Sequence, residues 1–260
     1  MTIPEDVINQ LTKGLREYNP TTYDTMDKIA KAMIPFGTAI LFILFMIEFS
    51  NTYKKLDREE GGMTIELLGS IAVKYIVALV FIMNSGVIID ALVWFGNEAV
   101  KWIQSIIDTT GTNGSIPEMG KVAWWAKPIV ALFEVFAYIA LWLSELITKI
   151  LICLRAIQFY IVKAVAPILI AFLMSEELRS IAIGFLKQVG ALVLQGVLLI
   201  LIIGLIPIIT ANDFASFNVD GVSGFIQAVM DYVGLIFKYI AIIILLIGSQ
   251  GLSKRLVGAN

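Results

Sequence analysis

Eight charged side chains lie inside stretches apolar enough to enter a bilayer: Lys74, Asp90, Glu134, Glu145, Arg155, Lys163, Asp231 and Lys238. An ionised group at membrane depth is costly unless it is paired, faces another helix or reaches water. Such residues therefore mark ion paths, proton relays or helix contacts. Some can instead snorkel their charge to the interface. Spacing groups several of them. Glu134 and Glu145 are eleven residues apart and share a helix face, and Glu145 and Lys149 form an i,i+4 pair in the favourable order. Asp231 and Lys238 fall two turns apart on one face, with Gly234 between them. Charges placed this way look towards other helices or water rather than lipid. That suits an oligomer with a polar path, and equally a small-molecule or ion transporter using Glu134, Glu145, Asp231 and Lys238.

Other chemistry is excluded by what is missing. The chain has no histidine, which removes Ser-His and Cys-His nucleophiles, HExxH metal sites and histidine relays. Its one cysteine, Cys153, sits in an apolar run and reads as a small buried hydrophobe. No CxxC pair and no GxxxxGK[ST] phosphate loop occur, so the expectation is a non-enzymatic protein with no metal and no cofactor. A net charge of −2 without a basic run offers no grip for nucleic acid.

The elements that carry these charges are set by composition. Hydrophobic residues make up 58% of the 260 and charged residues 15%, with mean hydropathy +0.87. Soluble domains carry about 25% charged residues. This much apolar surface needs lipid as solvent, and the expected class is an all-α polytopic transmembrane protein of about six spans (five to seven). Residues 1–31 read as a polar, amphipathic helical segment broken at Asn19-Pro20; its early acids and lack of an apolar core do not fit a cleavable signal. Residues 32–260 form one transmembrane domain, with spans expected at about 32–53, 65–89, 128–147, 150–174, 188–212 and 225–249. Pro35 falls in the first turn of the first span. The 47 nearly continuous apolar positions from Pro128 to Met174 would make a helix of about 70 Å, so they are divided by a turn near Lys149, a single long helix being the alternative. Polar loops are expected at 54–62, 109–121 and 213–224.

The distribution of Lys and Arg places the end of the chain, with Lys254 and Arg255, on the cytoplasmic side, and with it Arg179 and Lys187. Six crossings would then put the basic segment 54–58 outside. Five or seven would return it to the inside.

One stretch carries a family likeness. Ala164–Leu205 reads AVAPILIAFLMSEELRSIAIGFLKQVGALVLQGVLLILIIGL. It resembles the core of the TrbL family, the polytopic inner-membrane subunit of type IV secretion (conjugation) systems, in its Gram-positive form. The matching features are Ala166-Pro167, the polar turn Ser175-Glu176-Glu177, the amphipathic Ile181–Lys187 and Ala191-Leu192…Gln195-Gly196. The resemblance covers about 45 residues and carries no catalytic motif. It implies a channel or scaffold subunit in the cytoplasmic membrane. Its partners would be the coupling and assembly ATPases, other membrane components, membrane lipid and further copies of itself, five among the options, with transient contact to relaxase-bound DNA. Read physically, Pro167 removes a helix hydrogen bond and favours a kink. Glu176 and Glu177 suit a helix N-terminus. Gln195 in an apolar helix calls for a hydrogen bond across to another helix, and Gly190 and Gly204 allow close approach.

Overall fold

The structure, a computed structural model, describes residues 5–58, 65–108, 124–211 and 224–259. Among these every regular element is helical, and the chain is an all-α polytopic membrane protein. Two short helices, α1 (Glu5–Thr12) and α2 (Leu15–Tyr18), precede α3 (Pro20–Arg58). Then come α4 (Ile65–Met83), α5 (Ser85–Asp108), α6 (Lys127–Ala171), a 3-10 turn (Phe172–Met174), α7 (Arg179–Ala211) and α8 (Gly224–Val257). The expected loop at 109–121, residues 59–62 and residues 213–223 lie outside the described residues.

Among the described residues four helices are long and apolar enough to cross a membrane, in the ranges Pro20–Lys54, Lys127–Met174, Arg179–Gly204 and Gly224–Val257. A fifth crossing is available if Leu68–Met83 and Ser85–Ile107, bent by 66° at their junction, act as one broken span. Five crossings lie at the low end of the expected five to seven, and the four unbroken helices alone fall one below it. The turn near Lys149 is absent, and α6 runs unbroken for 45 residues. The segment Ile147–Arg155 holds no Gly or Pro, and Thr148 returns its hydroxyl to the Ser144 carbonyl at 2.8 Å, a bond made only within a continuous helix. Half of its most apolar window is buried in protein, so length and apolarity there reflect helix contacts as much as lipid depth.

Three further boundaries differ. The helix α3 begins at Pro20, where proline is pre-set for a first turn and Asn19 Oδ1 accepts from the Thr22 amide at 3.0 Å. It continues past residue 31 without interruption, which leaves Pro35 well inside the helix. The stretch 65–89 is broken at Asn84, whose side-chain amide donates to the Val80 carbonyl at 2.8 Å. The Asn84-Ser85-Gly86 run ends one helix and starts the next.

Contacts divide the chain into two compact units. The first comprises Met1–Thr12, Gly96–Arg155 and Leu194–Ser253. In it the buried positions of α8 recur every seven residues, at Tyr232, Tyr239, Leu246 and Ser253, with Ile242 and Ser249 between. The buried positions of α6 do the same at Val130, Ala137, Ser144 and Leu151. A 3.5-residue period is the mark of knobs-into-holes packing with a left-handed supercoil. Val130 and Ala137 pack against Tyr232, and the Trp125 and Phe225 rings lie 5.6 Å apart at the start of both helices. The two helices therefore run in the same direction.

The second unit comprises Lys13–Phe95, Ala156–Val193 and Lys254–Asn260. Ile71, Tyr75, Ala78 and Ile82 of α4 form one stripe at helical spacing, packed with Phe159, Tyr160 and Ala166 of α6 and Leu192 of α7. Within a bilayer this packing stabilises through close van der Waals contact rather than release from water. Small residues permit it: Gly37 of α3 lies directly on the Pro167 carbonyl of α6.

Candidate functional site

The second unit holds a charge network built from three helices around one buried ammonium. On α3, Tyr23, Asp27 and Lys31 recur at four-residue intervals and so share one face. On α5, Asp90 lies one and a half turns beyond the break at Asn84. On α6, Lys163 comes one turn before Pro167 and is 1% exposed.

The Lys163 ammonium joins them. It donates to Asp90 Oδ2 at 2.8 Å and lies 3.3 Å from Asp27 Oδ1. It also sits 3.8 Å from the centre of the Tyr23 ring, a cation–π contact. Tyr23 donates its own hydroxyl to Asp90 Oδ2 at 2.7 Å. Lys31 pairs with Asp27 at 2.8 Å from the exposed side. Gly86 makes room: a Cβ there would stand 3.4 Å from Lys163 Cε. Two carboxylates thus face two ammonium groups, and the network is neutral as a whole. One atom is left over: Asp90 Oδ1 is buried with no hydrogen-bond partner among the described residues.

A second ionic contact ties α3 to α4. Lys74 donates to both oxygens of Glu48, at 2.8 and 2.9 Å, and Tyr75 donates to Glu48 Oε2 at 2.6 Å. The Phe45 ring meets Tyr75 edge-on at 5.0 Å. Charge-assisted bonds of this kind are the strong ones, and a bilayer offers few competitors for them.

Of the charges singled out in the sequence, Lys74, Asp90 and Lys163 are brought into these contacts. Glu134 and Glu145 are half-buried on α6, near Tyr232 and Tyr239 respectively. Asp231 is exposed and accepts from Gln227 at 3.1 Å, and Lys238 is half-buried. Among the described residues no ion pair joins any of these four, nor Glu145 to Lys149. Glu176 and Glu177 are exposed in the turn before α7, where Ser175 does the capping: its hydroxyl accepts from the Leu178 amide at 3.4 Å and its carbonyl from Arg179 at 2.9 Å. Pro167 is buried, and α6 is continuous through it. Sequence reasoning missed Tyr23 and Asp27, which lie in the polar segment before the first apolar run, and Glu48 near the end of that run.

The first unit has its own buried polar groups. Arg155 is 5% exposed, and its guanidinium lies on the α7 backbone at Gly196, where any Cβ would collide with it. Next to that glycine, Gln195 is 2% exposed, and its Nε2 has no hydrogen-bond partner among the described residues. The bond across to another helix expected of Gln195 is not formed there. A buried amide donor without an acceptor costs about 1–3 kcal/mol, whereas an apolar side chain of similar size leaves nothing unsatisfied. Gln195→Leu should therefore leave the thermal midpoint of the detergent-solubilised protein unchanged or raise it. A clear fall would show that the amide is bonded. The two further glycines singled out differ: Gly204 meets Ile107 tightly, while Gly190 meets Val257 at an ordinary 3.5 Å.

No protein-family model matches the chain, and no curated protein matches it.

Proposed function

We propose that the chain is a channel or scaffold subunit of a type IV secretion apparatus, of the TrbL kind. It would sit in the cytoplasmic membrane in several copies, beside the coupling and assembly ATPases, and help relaxase-bound DNA to cross. What carries this reading is the ordered run Ala166-Pro167, Ser175-Glu176-Glu177, Ile181–Lys187 and Gln195-Gly196. That run falls on the end of α6, the turn and the first half of α7. The polytopic helical architecture suits it, as do charges gathered between helices rather than towards lipid. The sequence holds no run of Lys and Arg of the kind that grips DNA, so the energy and the grip are assigned to partners.

Five crossings also give a consistent orientation. With α6 counted once and α4–α5 as one broken span, Lys54, Lys55 and Arg58 fall on the same side as Arg179, Lys187, Lys254 and Arg255. The positive-inside rule makes that side cytoplasmic.

Deleting the gene in a conjugative donor tests the reading. Transfer should be lost while growth stays normal, and a plasmid copy should restore it. Undiminished transfer sinks the assignment. The bend at Asn84, one and a half turns before the half-buried Asp90–Lys163 pair, favours one alternative, an ion or small-molecule transporter, because broken helices often frame such sites. In that case deletion would alter uptake or ion tolerance and spare conjugation.

A further inference from the structure

The end of α8 carries a second feature, independent of the secretion reading. The helix closes in a Schellman turn: Gly258, at φ 67°, donates to the Arg255 carbonyl at 3.2 Å, and Ala259 donates to the Lys254 carbonyl at 2.8 Å. The left-handed residue has to be glycine or nearly so. The turn packs on α7, with Val257 against Gly190 and Gly258 beside the Lys187 ammonium, 3.6 Å from where a Cβ would stand.

That contact gathers three cations. At 100° per residue, Lys254 and Arg255 fall on either side of the direction in which Gly258 meets Lys187. All three are exposed, and among the described residues none has an ion pair or a side-chain hydrogen bond. The opposite flank of the same turn is apolar: Leu252 is 46% exposed and Leu256 62%. The helix carbonyls that would repel an anion are partly occupied by the Gly258 and Ala259 amides.

We infer that Lys187, Lys254 and Arg255 bind the phosphate of an anionic phospholipid headgroup, while Leu252 and Leu256 lie against its acyl chains. A cationic side and a leucine side on one turn match the headgroup–acyl boundary at the edge of a span. A water-soluble anion would have no use for the leucine side. A Lys or Arg beside an anionic membrane surface is favoured about fivefold, and three such cations act together here.

The full chain in non-ionic detergent, mixed with equal amounts of phosphatidylglycerol and phosphatidylcholine, is measured by native mass spectrometry. Phosphatidylglycerol should be retained in preference. The triple variant K187Q/K254Q/R255Q should lose most of that preference, and the charge-conserving K187R/K254R/R255K should keep it, which separates charge from folding. Inorganic phosphate in excess should not displace the lipid. Three results overturn the site: an unchanged preference in the triple glutamine variant, displacement by inorganic phosphate alone, or absence of lipid preference with polyglutamate bound instead.

Discussion

Lys163→Met should markedly lower the stability of the chain in the membrane, by about 3 kcal/mol. The methionine is apolar and similar in length, so packing is roughly conserved and the deficit is electrostatic. Asp90 would keep one bond, from Tyr23, and Asp27 would keep Lys31. Asp90 Oδ1, already without a partner, would be joined by an Oδ2 facing no cation. Removing one member of a buried ion pair costs about 3–5 kcal/mol, because the other charge stays behind. The Asp27 and Asp90 side chains are 28% and 32% exposed, which places the effect towards the lower end. That still exceeds half of a typical net stability at the low end of its range. The measurement is the yield of monodisperse protein in mild detergent and its thermal midpoint.

Asp90→Asn in the same chain is the control. It removes the stranded charge and keeps an acceptor for the Tyr23 hydroxyl. Lys163→Met with Asp90→Asn should recover part of the yield, with a coupling of about 0.5–3 kcal/mol for residues in one network. Additive losses would mean that Lys163 and Asp90 do not act on each other.

How much of this network the sequence revealed follows from the geometry of its members. Lys74, Asp90 and Lys163 stand out as charges in apolar runs, and membrane cost alone marks them. Their partners do not stand out. Tyr23 and Asp27 lie in a segment polar enough to read as surface, and the helix that carries them turns out to be the same one that enters the membrane. Asp90 is separated from Tyr23 by 67 residues and from Lys163 by 73, so no helical spacing connects them. Glu134, Glu145, Asp231 and Lys238 attracted attention for the opposite reason. Their spacing puts them on shared faces, but a shared face is not a contact, and among the described residues none reaches an opposite charge. The fold class was legible because apolarity at this level has one physical remedy. The crossing number was less so. Apolar residues that pack on other helices and apolar residues that meet lipid look alike in a hydropathy average, which is why α6 read as two spans. The Asn84-Ser85-Gly86 run did carry a break signal, and the surrounding hydropathy concealed it.

Gly37→Leu should be nearly as damaging, for a steric reason. At Gly37 the backbone of α3 crosses α6 so closely that a Cβ would stand 2.5 Å from the Pro167 carbonyl oxygen and 2.8 Å from its carbon. Both are backbone atoms, so no rotamer change relieves the collision. The carbonyl cannot swing aside, because Pro167 sits within a continuous helix. The helices must separate, which loosens the neighbouring buried contacts of Leu41 and Ala166 as well. Overpacking costs about 1–3 kcal/mol, and close approach over small residues is a main source of helix association in lipid. Gly37→Ala should lower the thermal midpoint and Gly37→Leu should lower it further. Gly248→Ala supplies the contrast, since a Cβ at that position of α8 meets nothing within 4 Å. There alanine should be neutral or stabilising, by up to about 1 kcal/mol from helix propensity. The same replacement then changes sign between two membrane helices. If Gly37→Ala behaved like Gly248→Ala, α3 would not cross α6 at Pro167, and the route by which Asp27 and Tyr23 reach Lys163 would have to be redrawn.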